Sequence, residues 1–162
     1  MPTANLDGVD IAYEDVGTGT PIVFCHEFAG SMESWDLQMS YFGRRYRTIR
    51  YNARGYLPSG VPSSLEDYSQ DHQVETLYQL LRHLGIHQAY LCGLSMGAHC
   101  VLNFGLAHPE VCRAIIAAGA GTGSANPDLM RSESEDRAAK LLAGGMAGQE
   151  PYLSGTTRIR FH

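Results

Sequence analysis

The residues with the clearest capacity for chemistry are Gly93-Leu94-Ser95-Met96-Gly97, a G-x-S-x-G pattern. A serine hydroxyl is a weak nucleophile until its surroundings expose and activate it. At a tight turn from strand into helix, a serine takes strained backbone angles and projects its Oγ from the sheet. Gly93 and Gly97 carry no Cβ, so the turn can close and the new helix can pack on the neighbouring strands. The N–H groups after the serine face outward at the positive end of that helix, where a developing oxyanion is stabilised. The pattern therefore offers a nucleophile with electrostatic support. The plainer alternative is a glycine-rich packing turn carrying an idle serine.

This chemistry needs a strand before Ser95 and a helix after it, and both are legible. Gln88–Gly93 (QAYLCG) predicts a strand, and Ser95–Ala107 predicts a helix stopped by His108-Pro109. Upstream, Thr3–Leu6 and Val9–Glu14 flank Asp7-Gly8, a hairpin signal. Pro21–Cys25 (PIVFC) is a short continuous apolar run, as in a parallel strand buried on both faces. Met32–Phe42 has helical apolar spacing, Tyr46–Asn52 reads as a strand, and Arg54–Ser64 is a loop rich in Gly and Pro. Val74, Leu77, Tyr78, Leu81 and Leu84 form an apolar stripe on a helix over Ser69–Leu84, capped by Ser69 and stopped by Gly85. Val111–Ala118 is a further strand, and Asn126-Pro127 opens a helix to about Leu142. Strands alternating with helices imply an α/β fold: a mostly parallel sheet with an N-terminal β-hairpin and helices on both faces.

The chain has 162 residues, enough for one buried core, and with 44% hydrophobic and 18% charged residues it is too apolar to be disordered. A net charge of −5 argues against a nucleic-acid partner. Apolar runs are too short to span a membrane and the polar start is unlike a signal peptide, so a cytoplasmic location is expected. Arg44, Arg45, Arg47, Arg50 and Arg54 straddle a strand and read as solvated flanks. Cys25, Cys92, Cys100 and Cys112 form no C-x-x-C pair and read as buried reduced thiols. Asn52 is expected to organise its loop, His99 to pack or face solvent, and no metal or cofactor is expected. Gly119-Ala120-Gly121-Thr122-Gly123 has the wrong spacing for a dinucleotide loop.

PIVFCHEFAGSMESW, YRTIRYNARGYLPS, DHQVETLYQLLRHLGI, YLCGLSMGAHCVLNFGLAHPE and CRAIIAAGAG, in this order and spacing, resemble the N-terminal half of α/β-hydrolases. The resemblance matches Ser95 to the family nucleophile and Met96 to the residue whose N–H enters the oxyanion hole. It matches Phe28 to the second N–H donor, and His26 to a loop histidine that organises rather than acts as the base. Glu27 stands where many relatives have Gly. A bacterial group with H-E-F-A and Y-N-A-R-G-Y at the same places is similar, and there the glutamate must point away from the oxyanion.

The family order is nucleophile, acid, histidine. After Gly121 there is room for about one strand–helix–strand unit at roughly 30 residues. The only later histidine is His162, and Glu150 with His162 makes a poor pair because termini are mobile. The expectation is thus a truncated hydrolase core over 1–123 with the start of a helical cap over 124–162. Its function would be hydrolysis of an ester, lactone or similar acyl bond through Ser95, acting on a small-molecule acyl substrate. The rival is a catalytically incompetent fragment or a binding protein. A sheet edge left open at Val111–Ala118 would favour self-association.

Overall fold

A computed structural model of the chain describes residues 1–121 and 126–145. They fall in two units that divide between Ala120 and Gly121. The first holds six strands: β1 (Thr3–Leu6), β2 (Val9–Val16), β3 (Pro21–Cys25), β4 (Arg47–Tyr51), β5 (Ala89–Leu94) and β6 (Cys112–Ala118). Its helices are α1 (Asp36–Phe42), α2 (Gln70–His83) and α3 (Met96–Ala107). The strands form one sheet in the order β1-β2-β4-β3-β5-β6. β4, β3, β5 and β6 run parallel, and the β1–β2 hairpin joins them antiparallel through β2 and β4.

β3 shows how residue alternation builds a two-sided core. Val23 and Cys25 pack with Leu77, Leu80, Val101 and Phe104 from α2 and α3. Ile22 and Phe24 pack on the opposite face with Trp35 and Met39. The period-2 geometry of a strand sends successive side chains to opposite faces, so an all-apolar pentapeptide serves both layers. Asp7 and Gly8, both at positive φ (52° and 76°), make the tight turn between β1 and β2.

Several boundaries differ from the sequence expectation. The Met32–Phe42 stretch opens with a 3₁₀ turn over Met32–Trp35 before α1 begins. A second 3₁₀ turn, Leu65–Tyr68, precedes α2 and a third, Pro109–Val111, precedes β6. α2 itself starts as expected, the Ser69 hydroxyl accepting from His72 N–H at 3.2 Å. Cys25 and Cys100 are buried, whereas Cys92 and Cys112 are only partly so.

The arginines are the main correction. Arg50 and Arg54 are buried, not solvated. Arg50 reaches Glu14 at 2.9 Å, Asp36 at 2.5 Å and the Met32 carbonyl at 2.8 Å. Arg54 donates to the Thr76 hydroxyl at 2.8 Å and the Asp67 carbonyl at 3.3 Å. Arg47 pairs with Asp15 at 2.6 Å. A guanidinium with five donors can stitch strands to loops and helices when every buried N–H finds an oxygen, and a one-letter pattern does not display those partners.

The second unit contains α4 (Pro127–Gly144). Asn126 Oδ1 accepts from Leu129 N–H at 3.1 Å and Pro127 occupies the first turn, the expected start signal. Lys140 pairs with Asp136 one turn away at 2.6 Å. Among the described residues no helix is long and apolar enough to cross a membrane.

Candidate active site

Ser95 sits on the exposed turn between β5 and α3, outside the regular helix. Its backbone is at φ 51°, ψ −109°, a left-handed conformation that costs a non-glycine residue about 1–3 kcal/mol. Its neighbours hold it there. Ser95 N–H donates to the Ala118 carbonyl at the end of β6 at 2.8 Å, and Ser95 C=O accepts from His99 N–H at 3.1 Å, closing the first turn of α3. A Cβ on Gly97 would collide with the carbonyl groups of Cys25 and His26, and one on Gly93 with the Gly97 carbonyl. These absent methyls let the start of α3 lie against the end of β3.

The same contact brings the loop after β3 beside the elbow. In that loop Gly30 N–H donates to Glu27 C=O at 3.2 Å, and Ala29 lies at φ 58°. Phe28, between them, turns its side chain toward solvent. His26 is buried with both ring nitrogens engaged: Nδ1–H donates to Glu27 C=O at 2.8 Å, and Nε2 accepts from Ala53 N–H at 3.0 Å. Burial holds the imidazole below its ordinary pKa, and a neutral ring is what this one-donor, one-acceptor arrangement requires. With both nitrogens occupied, His26 ties the β3 loop to the β4 loop and has no lone pair to serve as a base.

Glu27 turns its carboxylate back over Gly30, where Oε1 accepts from the Ser34 hydroxyl at 2.9 Å. Its other oxygen, Oε2, is buried without a hydrogen-bond donor among the described residues. Asn52 fastens the loop after β4. Its Oδ1 accepts from Met32 N–H at 2.7 Å and its Nδ2 donates to Leu57 C=O at 2.8 Å.

One residue of this cluster was not weighed in the sequence. The Tyr56 hydroxyl accepts from Ala29 N–H at 3.3 Å and donates to Met96 Sδ at 3.7 Å, while its ring meets the His26 ring edge-on at 4.7 Å. It lies inside the segment YNARGYLPS, but a tyrosine in a Gly/Pro-rich loop carries no periodic signal. His99 is half-buried in the first turn of α3. Glu150 and His162 lie outside the described residues. Among the described residues, no three or more His, Cys, Asp or Glu side chains gather as a metal site would require.

Residues 20–149 match the profile of a family described as having the alpha/beta hydrolase fold. The chain belongs to this family. It is 40% identical over 94 residues to a putative non-heme chloroperoxidase from Synechocystis sp., spanning 57% of this chain and 33% of that one. It is 29% identical over 127 residues to bifunctional epoxide hydrolase 2 of Rattus norvegicus, spanning 78% of this chain but 23% of the rat protein. Among solved structures, an epoxide hydrolase from Bacillus megaterium with an inhibitor superposes with a TM-score of 0.74 at 27% identity, over 84% of this chain and 50% of that one. Est816, described as an N-acyl homoserine lactone degrading enzyme, superposes with a TM-score of 0.75 at 27% identity, over 95% of this chain and 57% of its own. The chain therefore spans between about a quarter and three-fifths of the length of these proteins.

Proposed function

We propose that these residues form the nucleophile side of a serine hydrolase that cleaves an ester, lactone or similar acyl bond. Ser95 Oγ attacks the carbonyl, and the N–H groups of Phe28 and Met96 hold the oxyanion. His26, Gly93 and Gly97 shape the loops that carry them. The observation that carries the reading is the exposed Ser95 at φ 51° on a strand-to-helix turn, since backbone strain of this kind persists where a site requires it. The placement of α3 against the end of β3 supports the pairing of the two amides.

The relatives' names span epoxide, halide-dependent and lactone chemistry, and the identity of the nucleophile separates the hydrolytic ones. A serine that opened an epoxide would form an alkyl ether with its Oγ, which water does not readily cleave. A serine that attacks an acyl carbonyl breaks the acyl C–O bond, the leaving alcohol carrying off the hydroxyl proton, and forms an ester that water hydrolyses to the free acid and enzyme. An acyl substrate is therefore the one that Ser95 can turn over.

The second reading is a chain that binds a polarised carbonyl without turnover. The commitment of both His26 nitrogens to backbone partners favours it, because no base is assigned among the described residues. Turnover of p-nitrophenyl acetate by the full chain and by Ser95→Ala decides between them. A working hydrolase loses about 10³-fold or more on Ser95→Ala. Equal rates in the two proteins would overturn the serine-hydrolase reading for this chain and leave the binding one. The exposed strand edge at β6 is offered as a self-association surface, and a clean monomer by size-exclusion chromatography would refute that.

A further inference from the structure

We propose that Tyr56 is a positioning residue for the oxyanion hole, its hydroxyl clamping the β3 loop to the residue after Ser95. The inference rests on the reading of Ser95, Phe28 and Met96 given above.

Phe28 follows Glu27, whose C=O accepts from the anchored His26 Nδ1–H, and precedes Ala29, whose N–H is received by Tyr56. The peptide that presents the Phe28 amide is thus tied on both sides. Met96, the residue whose amide would face the same oxyanion, is touched by the other side of the same hydroxyl through its sulfur. One oxygen atom therefore relates the two proposed donors, which come from segments nearly seventy residues apart.

The phenol is suited to this. Its ring is wedged edge-on against His26, and its own backbone is held by Tyr56 N–H to Ala53 C=O at 3.0 Å and by Ser59 N–H to Tyr56 C=O at 2.9 Å. Burial raises its pKa above the ordinary tyrosine value, so it keeps the proton that faces Met96. Donors that are fixed before the reaction need no reorganisation as charge develops, which makes such a clamp worth holding.

The test uses the full chain and phenylboronic acid, which adds to a serine Oγ, the hydroxyl proton passing to solvent, to give a tetrahedral, negatively charged boron. Boron-11 NMR separates this adduct from trigonal boronic acid held loosely nearby. Tyr56→Phe keeps the ring against His26 and removes only the hydroxyl. The expected result is about a tenfold loss of tetrahedral adduct affinity, with trigonal binding retained. Met96→Leu preserves the volume, removes the sulfur acceptor, and is expected to cost about threefold. It serves as the test should Tyr56→Phe not fold. Undiminished adduct affinity in the folded variant, or equal loss of tetrahedral and trigonal binding, overturns the clamp. Ser95→Ala is the separating control. If wild type forms a tetrahedral adduct that Ser95→Ala abolishes, the nucleophile reading stands whatever Tyr56 does. If wild type forms none, or Ser95→Ala forms it equally, that reading and the clamp fall together.

Discussion

Gly97 gives the sharpest test of how the elbow is packed. An alanine methyl there would fall on the carbonyl carbon and oxygen of Cys25, with the His26 carbonyl also inside contact distance. These are backbone atoms at the buried end of β3, which is paired on both sides by β4 and β5. They cannot rotate aside as a side chain would, so α3 must lift from the sheet by about 1 Å, the scale at which misplacement can cost about 10²-fold in rate. Overpacking typically costs about 1–3 kcal/mol, and against backbone that cannot yield it falls in the upper part of that range, about 2–3 kcal/mol. The intrinsic helix preference of alanine over glycine returns at most about 1 kcal/mol. The net is a destabilisation of about 1–2 kcal/mol, or roughly 2–8 °C in Tm for a chain of this size. Gly105→Ala in the same helix is the matched control. Its methyl would meet Cδ1 of Ile115, the far end of a flexible side chain that can move. Urea unfolding followed by circular dichroism measures both. Gly97→Ala as stable as wild type, or Gly105→Ala more damaging than Gly97→Ala, would refute the claim that α3 rests directly on the β3 backbone.

Three other outcomes follow from named contacts. His26 has its pKa lowered by burial, so the folded state resists protonation more than the unfolded chain does. The stability this represents is complete above the ordinary histidine pKa near 6.5 and declines as pH falls below it. Urea midpoints measured from pH 8 to 5 should show this fall, and His26→Gln should flatten it. Arg50→Ala should cost about 2–3 kcal/mol by urea unfolding, toward the low end because Asp36 and Glu14 can turn to water once the guanidinium is gone. Asn52→Asp should cost about 1–3 kcal/mol, since the carboxylate can still accept from Met32 N–H but sets an unpaired charge against the Leu57 carbonyl. A thermal melt unchanged from wild type would refute that last expectation.

What the sequence makes legible depends on whether the cause is local. PIVFC, the Asp7-Gly8 turn, the Ser69 and Asn126 caps and the strand–serine–helix junction each act within a few residues, and each is found where it was expected. Arg50 and Tyr56 are different. Arg50 on β4 finds its partners on β2 and at the start of α1, and Tyr56 in the β4 loop finds its partners after β3 and on α3. Their meaning is set by topology, by which strands end side by side, and that becomes visible only once β3 lies between β4 and β5.

That strand order also explains how the strained serine is held. β3 and β6 lie on either side of β5, and each contributes something at the elbow. β6 supplies the Ala118 carbonyl that accepts the Ser95 N–H, and β3 supplies the backbone floor on which Gly97 rests. A single tether would let the turn relax about the other side. Two tethers from opposite neighbours, together with the His99 N–H bond that starts α3, fix the peptide before, at and after Ser95. The left-handed conformation is therefore over-determined by the sheet, which is the condition for strain of about 1–3 kcal/mol to persist in a folded chain. It follows that the serine's pose is a property of β3, β5 and β6 as a set, and that weakening the β5–β6 pairing should disturb Ser95 even though no residue of the elbow itself is changed.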